Sequence, residues 1–313
     1  MSDWLYNACL VGFINILDHA KDNYQLRSSY VEFDITSLKG FEEKYFKFLF
    51  DKYGAFTVYK SVVENKSTIE SYIKNIKEFD EKMLEHLNEI IEYVKSKINR
   101  NSYKAAYQYI NHELDPVKAE KELKKLKLSK NQTIESIEKD IRKQLEVLME
   151  IIDYMSTEEA KKYLMAKDFI YSFTNAFLTG VAVWHKQEAS KDPYIVYKNY
   201  FIDSIIDYLT KQDKKHKSSC TVCNRTLSSK DKTYDLTWIV ATGVDGNRKN
   251  SHYWNYYNDT TICPICNLVY SCIPAGFTFI NGKGFFINNN NDLIELYKVN
   301  KFQIDKNTKI EEL

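Results

Sequence analysis

Two cysteine pairs, Cys220-Thr-Val-Cys223 and Cys263-Pro-Ile-Cys266, constrain this chain more than any other feature. Two residues between thiols let one tight turn place both sulfurs on a single ion. Two such turns complete the tetrahedral four-cysteine shell of structural zinc, so Zn2+ is the expected cofactor. Four thiolates leave no open position for water, which argues against catalysis at the metal. An iron–sulfur cluster on the same cysteines, or four metal-free thiols, are the alternatives. The pairs stand 39 residues apart, against roughly 15–20 in a compact ribbon. The metal is therefore expected to pin the base of an inserted excursion. Cys272, just after the second pair, reads as a small buried hydrophobe.

Apolar residues make up 44% of the 313 positions and charged residues 28%, enough for a core and against a membrane protein. The most apolar N-terminal stretch, Trp4 to Leu17, is shorter than the roughly 20 residues that span a bilayer. It also lacks a basic leader region and a small-residue cleavage site. The expectation is a cytoplasmic protein with no membrane partner, in which paired cysteines are metal ligands before they are disulfides. With 44 basic against 43 acidic residues the net charge is +1. A free-standing nucleic-acid binder usually carries a clear basic excess. Any such contact here must come from local patches or from partners.

The pattern predicts an α+β fold: a mainly helical region over residues 1–212 with a short strand, a zinc-stapled β-rich insert over 213–290, and a short helix with a polar tail over 291–313. Ser2 or Asp3 caps a first helix with Leu5, Cys9, Phe13, Ile16 and Leu17 on one face. Tyr30 to Ile35 alternates as a half-buried strand. A helix from about Leu38 ends at Gly54, read as a left-handed stop. Ile69, Ile73, Ile76, Asp80, Met83, Leu87, Ile90 and Val94 form a heptad seam with one polar interruption. Ile134, Ile137, Ile141, Leu145, Leu148, Ile152 and Met155 form a second, and the two together suggest a helical hairpin. Asp115-Pro116 opens a helix. Ser156 with Glu159 reads as a capping box for a helix holding Leu164, Phe169, Phe173 and Phe177. After a basic linker (Lys211, Lys214, Lys215, His216, Lys217), Tyr234 to Thr242 reads as a strand and Gly243 to Gly246 as a turn. Asn281-Gly282 links Phe277–Ile280 to Phe285–Ile287 as a hairpin.

Within the excursion, Arg248 and Lys249 lie beside Tyr253, Trp254, Tyr256 and Tyr257, a pattern that suits phosphate contact with base stacking. A loop packed on its own sheet or on another subunit explains the same residues equally well. The Asn281-Gly282-Lys283-Gly284 turn allows close backbone approach to a nucleic acid, with Lys283 reaching a phosphate or the minor groove. A plain hairpin turn is the simpler explanation. Enzyme motifs fail. There is no phosphate-binding G-x-x-x-x-G-K-[ST] loop, and His112-Glu113 is no zinc-protease motif because Pro116 takes the second histidine's place. The six histidines show no ligand spacing, and no carboxylate cluster reads as a nuclease.

Three segments together resemble one family. They are the opening Asp3-Trp-Leu-Tyr-Asn-Ala-Cys-Leu-Val-Gly-Phe-Ile-Asn-Ile-Leu17, the two cysteine pairs, and Ile273-Pro-Ala-Gly-Phe-Thr-Phe-Ile-Asn-Gly282 with Phe286-Ile-Asn-Asn289 behind it. The family is the CXXC–CXXC group of CRISPR-associated proteins, large subunits of type I-B Cascade. The resemblance implies a non-catalytic subunit at the crRNA 5′-handle end, beside the handle-binding and backbone subunits. There it would help recognise the protospacer-adjacent motif of target DNA and start R-loop formation in antiviral defence. Base pairing would read the target, and cutting would belong to a recruited helicase-nuclease. Only the four cysteines carry over as ligands. Family members are usually longer, with a C-terminal helical bundle, so the chain reads as an N-terminal portion or short form. The competing expectations are a zinc-containing nuclease, or a zinc-ribbon scaffold in another nucleic-acid machine.

Overall fold

Local chemistry sets most elements of the computed structural model, which describes residues 3–130, 132–176, 178–210, 216–240, 253–254, 257–258, 261–280 and 283–301. Asp3 caps α1 (Trp4–His19) by accepting from the Tyr6 N–H at 2.9 Å. A hairpin of β1 (Tyr24–Leu26) and β2 (Val31–Phe33) leads to α2 (Phe41–Tyr53). A helical series follows: α3 (Val58–Val63), α4 (Lys66–Lys74), α5 (Glu81–Ile98), α6 (Asn101–Tyr107), α7 (Pro116–Glu122), α8 (Glu138–Met155) and α9 (Glu158–Asp168). Next, α10 (Pro193–Tyr197) runs through a π-helical turn into α11 (Asp203–Thr210). Then come β3 (His216–Ser219), β4 (Thr226–Ser228), β5 (Tyr253–Trp254), β6 (Tyr257–Asn258), α12 (Pro264–Ser271) and α13 (Ile273–Gly276). The described residues close with β7 (Thr278–Ile280), β8 (Lys283–Phe285) and α14 (Leu293–Asn300). Every sheet among them is a two-stranded antiparallel ribbon. The fold is α+β and mainly helical, with small sheets and a four-cysteine cluster. No described helix is long and apolar enough to cross a membrane.

Several local expectations shift, each for an identifiable reason. The first long seam is two helices. Asp80, its polar interruption, is the N-cap of α5 and accepts from the Met83 N–H at 2.8 Å. The second seam is continuous, but α8 packs chiefly on α4 and α7, so the two seams do not form a simple hairpin. Thr157, not Ser156, caps α9; the Ser156 hydroxyl donates back to the Ile152 carbonyl and closes α8. Gly54 is no left-handed stop, since it lacks a positive φ. A Cβ there would come within 2.8 Å of the Met165 methyl. Among the described residues, the run from Tyr234 to Val240 is not a strand. It forms isolated bridges at Tyr234 and Ile239, and Asp235 accepts from the Thr237 N–H and hydroxyl and folds the chain into a turn. Residues 241–252, 211–215 and Phe177, including the predicted turn at 243–246, lie outside the described residues.

Contacts group the chain into two compact units. One comprises residues 1–51, 176–185 and 194–313, and the other 52–175 and 186–193. In the first, α1, remote in sequence, packs on α12 and α13. Helix α1 is buried on almost every side, including Ala8, Cys9, Val11, Phe13, Ile14 and Leu17. Such a helix belongs inside a core. Gly12 and Gly276 bring α1 and α13 into backbone contact. A Cβ on Gly12 would collide with the Cys272 carbonyl oxygen and lie 2.7 Å from the Gly276 nitrogen. On the other side, Val11 and Ile14 meet Leu293, Leu296 and Tyr297 of α14. The core extends through stacked Phe13–Phe41, Tyr45–Tyr197 and Trp184–Trp238 rings.

In the helical unit two buried charges lie side by side on α9. Asp168 accepts from the Tyr59 N–H at 2.7 Å and the Tyr103 hydroxyl at 2.8 Å, with Arg100 at 3.6 Å. Burial raises its carboxyl above the usual range, against the pull of these donors. Lys167 donates to the Ala189 and Lys191 carbonyls, and burial lowers its amine to about 8.

The Gly12 crossing predicts that Gly12→Ala destabilises the protein by about 2 kcal/mol or more, because overpacking against backbone cannot relax. Gly54→Ala meets only a flexible methionine tip, and is expected to cost under about 1 kcal/mol in the same urea denaturation series.

Candidate metal centre

The first knuckle is built by a tight turn. Cys220 N–H donates to the Arg225 carbonyl and Asn224 N–H to the Cys220 carbonyl, with Asn224 at φ +57°. The β3–β4 ribbon closes around it, pairing Ser219 with Thr226. The second knuckle is a helix start, with Cys263 as the N-cap of α12 and Pro264 in the first turn. Proline suits that position because its missing N–H would have no helical partner. The two knuckles are joined directly: Thr221 donates to the Thr261 carbonyl through its N–H at 3.0 Å and its hydroxyl at 3.2 Å. Tyr234 and Ile262 exchange a pair of backbone hydrogen bonds one residue before Cys263. The long excursion is thus closed at its base by protein contacts as well as by the cysteines.

The four thiols converge. The sulfurs of Cys220, Cys223, Cys263 and Cys266 all lie within 4.8 Å of one another, the Cys223 and Cys263 sulfurs 3.7 Å apart. A disulfide requires about 2.05 Å, and all six cysteines are free. Four sulfurs about 2.3 Å from one tetrahedral ion would be about 3.8 Å apart. The arrangement fits a single ion held by all four residues, with no coordination position left for substrate.

Donors already point at the sulfurs. Cys263 N–H donates to Cys220 Sγ at 3.3 Å, and Cys266 N–H to Cys263 Sγ at 3.5 Å. The N-terminus of α12 adds its positive dipole end. Hydrogen bonds from the Cys223, Cys263 and Cys266 thiols lower the Cys220 thiol far below its ordinary value. Cys266 moves the opposite way, raised first by its hydrogen bond to Cys220, then by Cys223 and Cys263, and further by burial. Four adjacent thiols cannot all ionise without a compensating cation, and a divalent ion supplies that charge.

One contributor has no spacing signal in the sequence. The Tyr6 hydroxyl on α1 lies 3.8 Å from Cys266 Sγ, its ring edge-on to Tyr270 at 5.4 Å. It is a hydrogen-bond partner of the ligand, contributed by a helix 260 residues away in sequence. Cys272 stays outside the cluster. It is fully buried, donates to the Leu268 carbonyl at 3.4 Å, and burial raises its thiol.

The remaining predicted site residues do not converge with the cysteines in the described structure. Lys283 is exposed on β8, opposite Ile280 in the register. Lys283 and Gly284 are therefore strand residues. A Cβ on Gly284 would press on the Phe277 and Phe279 rings at 3.2 Å. Asn281, Gly282, Arg248 and Lys249 lie outside the described residues. Trp254 is described only in its backbone, on β5 paired with Tyr257.

This geometry coincides with a comparison. Residues 213–278 match the family model of a CRISPR-associated protein, Cas_CXXC_CXXC. The match spans 66 of 313 residues and contains all four converging cysteines. Over this segment the chain is similar to CRISPR-associated CXXC–CXXC proteins. No curated protein and no solved structure matches it.

Removing the Tyr6 hydroxyl is predicted to loosen the ion without unfolding the knuckles. Tyr6→Phe should weaken Zn2+ binding about 10- to 100-fold, the usual cost of losing a partner of a metal ligand, as measured by competition with a chromophoric chelator. Affinity should fall as pH falls, because binding requires thiolates and releases protons.

Proposed function

We propose that this chain is a non-enzymatic, zinc-stapled subunit of a CRISPR interference complex, the large subunit of a type I-B Cascade. In this reading it helps to recognise the protospacer-adjacent motif of target DNA and to start R-loop formation. The observation that carries the reading is the coincidence of the Cas_CXXC_CXXC match with the one segment whose four cysteines converge. The closed four-thiolate shell supports a structural ion over a catalytic one, and its donor set suits Zn2+. A near-neutral chain suits a subunit whose crRNA-bound partners supply most of the phosphate contacts. The partners are crRNA, target DNA, the backbone and 5′-handle-binding subunits, and a recruited helicase-nuclease. A cytoplasmic location follows from that role.

The β7–β8 hairpin is the element we assign to the DNA. Its second strand presents the exposed Lys283 and the 53% exposed Phe285, directly after Asn281 and Gly282 in sequence. A lysine beside a glycine-containing tip can approach a phosphate or the minor groove closely. Arg248, Lys249 and Trp254 in the excursion are the second assignment, for phosphate contact and base stacking.

Co-expression with the matching crRNA and Cascade subunits tests the reading. The complex is expected to purify with about one zinc per chain by elemental analysis, and Cys220→Ser with Cys263→Ser should lose both zinc and assembly. Zinc without assembly would leave the metal centre standing and remove the Cascade assignment.

A further inference from the structure

In the helical unit, the connection between α7 and α8 carries an unusual concentration of one charge. Residues 118–130 hold six lysines (Lys118, Lys121, Lys124, Lys125, Lys127 and Lys130) against Glu120 and Glu122. From Leu123 onward this stretch is neither helix nor strand. It is nevertheless fastened to its neighbours at three points. Lys95 donates to the Leu123 carbonyl at 2.7 Å. Asn88 clasps Leu126, donating to its carbonyl and accepting from its N–H, each at 2.9 Å. Gln144 accepts from the Lys124 N–H at 2.6 Å. Leu123 is buried and Leu126 and Leu128 half-buried, so the chain holds its leucines inward and its lysines outward.

The lysines divide into two sets. Lys118 pairs with Asp115 at 3.6 Å and Lys125 with Glu92, while Lys95 takes Glu120 at 3.4 Å. Lys121, Lys124, Lys127 and Lys130 are exposed, and among the described residues none has an ion-pair partner. They recur at every third position, Lys121 in the last turn of α7 and the other three on the irregular stretch behind it. None of the exposed large apolar side chains falls within 118–130. Protein interfaces are depleted in lysine and anchored by aromatic residues, methionine and arginine. A polynucleotide backbone requires only positioned cations.

We propose that this pinned lysine track seats the phosphate backbone of a nucleic acid without reading its sequence. The track lies on a different unit from the cysteine cluster and does not rest on the metal or on the Cascade reading. Fixing the backbone at Leu123, Lys124 and Leu126 reduces the ordering cost of presenting the lysines, leaving chiefly their side chains to order on binding. Lys118 and Lys125, already paired, contribute less.

The test is fluorescence anisotropy of the full chain with a mixed-sequence 30-base-pair DNA duplex between 50 and 200 mM NaCl. The quadruple variant K121A/K124A/K127A/K130A is expected to bind at least 10-fold more weakly at 50 mM. The slope of log affinity against log salt should become shallower by about 0.9 for each phosphate no longer neutralised, so by about 3 to 4 in total. The double variant K118A/K125A should stay within about two-fold of wild type, and circular dichroism should show all three chains equally folded. An unchanged slope in the quadruple variant overturns the proposal, as does a wild-type chain that fails to bind the duplex at 50 mM. Binding of polyglutamate in place of the duplex would assign the track to an acidic protein and overturn it too.

Discussion

Helix α1 and the α12–α13 segment meet backbone to backbone, and the architecture of the cysteine-bearing unit depends on that contact. Gly12 faces Cys272 and Gly276, and Gly276 faces Ala8, so that neither glycine has space for even a Cβ. Dispersion gained over so close an approach falls away steeply with any separation. Polar side chains fix the register: Asn15 donates to the Ala275 carbonyl at 2.9 Å, and Asn7 donates to Asn288 and Asn290. The asparagine run after β8 is thereby tied to the first helix. The same crossing sets Tyr6 beside Cys266.

The cysteine cluster closes a long excursion from the opposite side. Joining the ends of a 39-residue segment costs on the order of 3 kcal/mol in chain entropy. The four converging cysteines, the Tyr234–Ile262 bridge and the Thr221–Thr261 hydrogen bonds share that task. An ion bound there would also answer an electrostatic problem: buried, adjacent thiols oppose one another's ionisation until a cation is present. Metal binding and the docking of α1 are thus linked through Cys266, whose partner Tyr6 sits on the helix that crosses α13.

The helical unit handles charge differently. Asp168 and Lys167, adjacent on α9, are buried with polar partners: two donors and Arg100 for the acid, two carbonyls for the amine. Such groups fix the neighbours they bond to, because a buried charge that loses its partner is costly. On the surface of the same unit, the track from Lys121 to Lys130 keeps four cations out of ion pairs among the described residues while its backbone is held down. The net charge of +1 therefore conceals local concentrations of one sign.

Sequence alone determined what is local. The Asp3 and Asp115 caps, the β1–β2 hairpin's second strand, the pairing of β7 with β8 and helix α14 follow from side chains within a few positions of each other. The cysteine spacing likewise announced its cluster, because a metal site leaves an explicit pattern of ligands. Tertiary structure decided the rest. Asp80 looked like a polar residue in a continuous seam, whereas the structure ends α4 at Lys74 and makes Asp80 the cap of α5. Gly12 and Gly276 are ordinary glycines in sequence; their need for hydrogen in place of a side chain comes from a partner more than 250 residues away. Tyr6 has no spacing relation to Cys266, and Asn88 none to Leu126. Periodicity and capping report forces that act within a turn or two of chain, whereas close backbone approach and hydrogen bonds to a distant ligand depend on which surfaces meet.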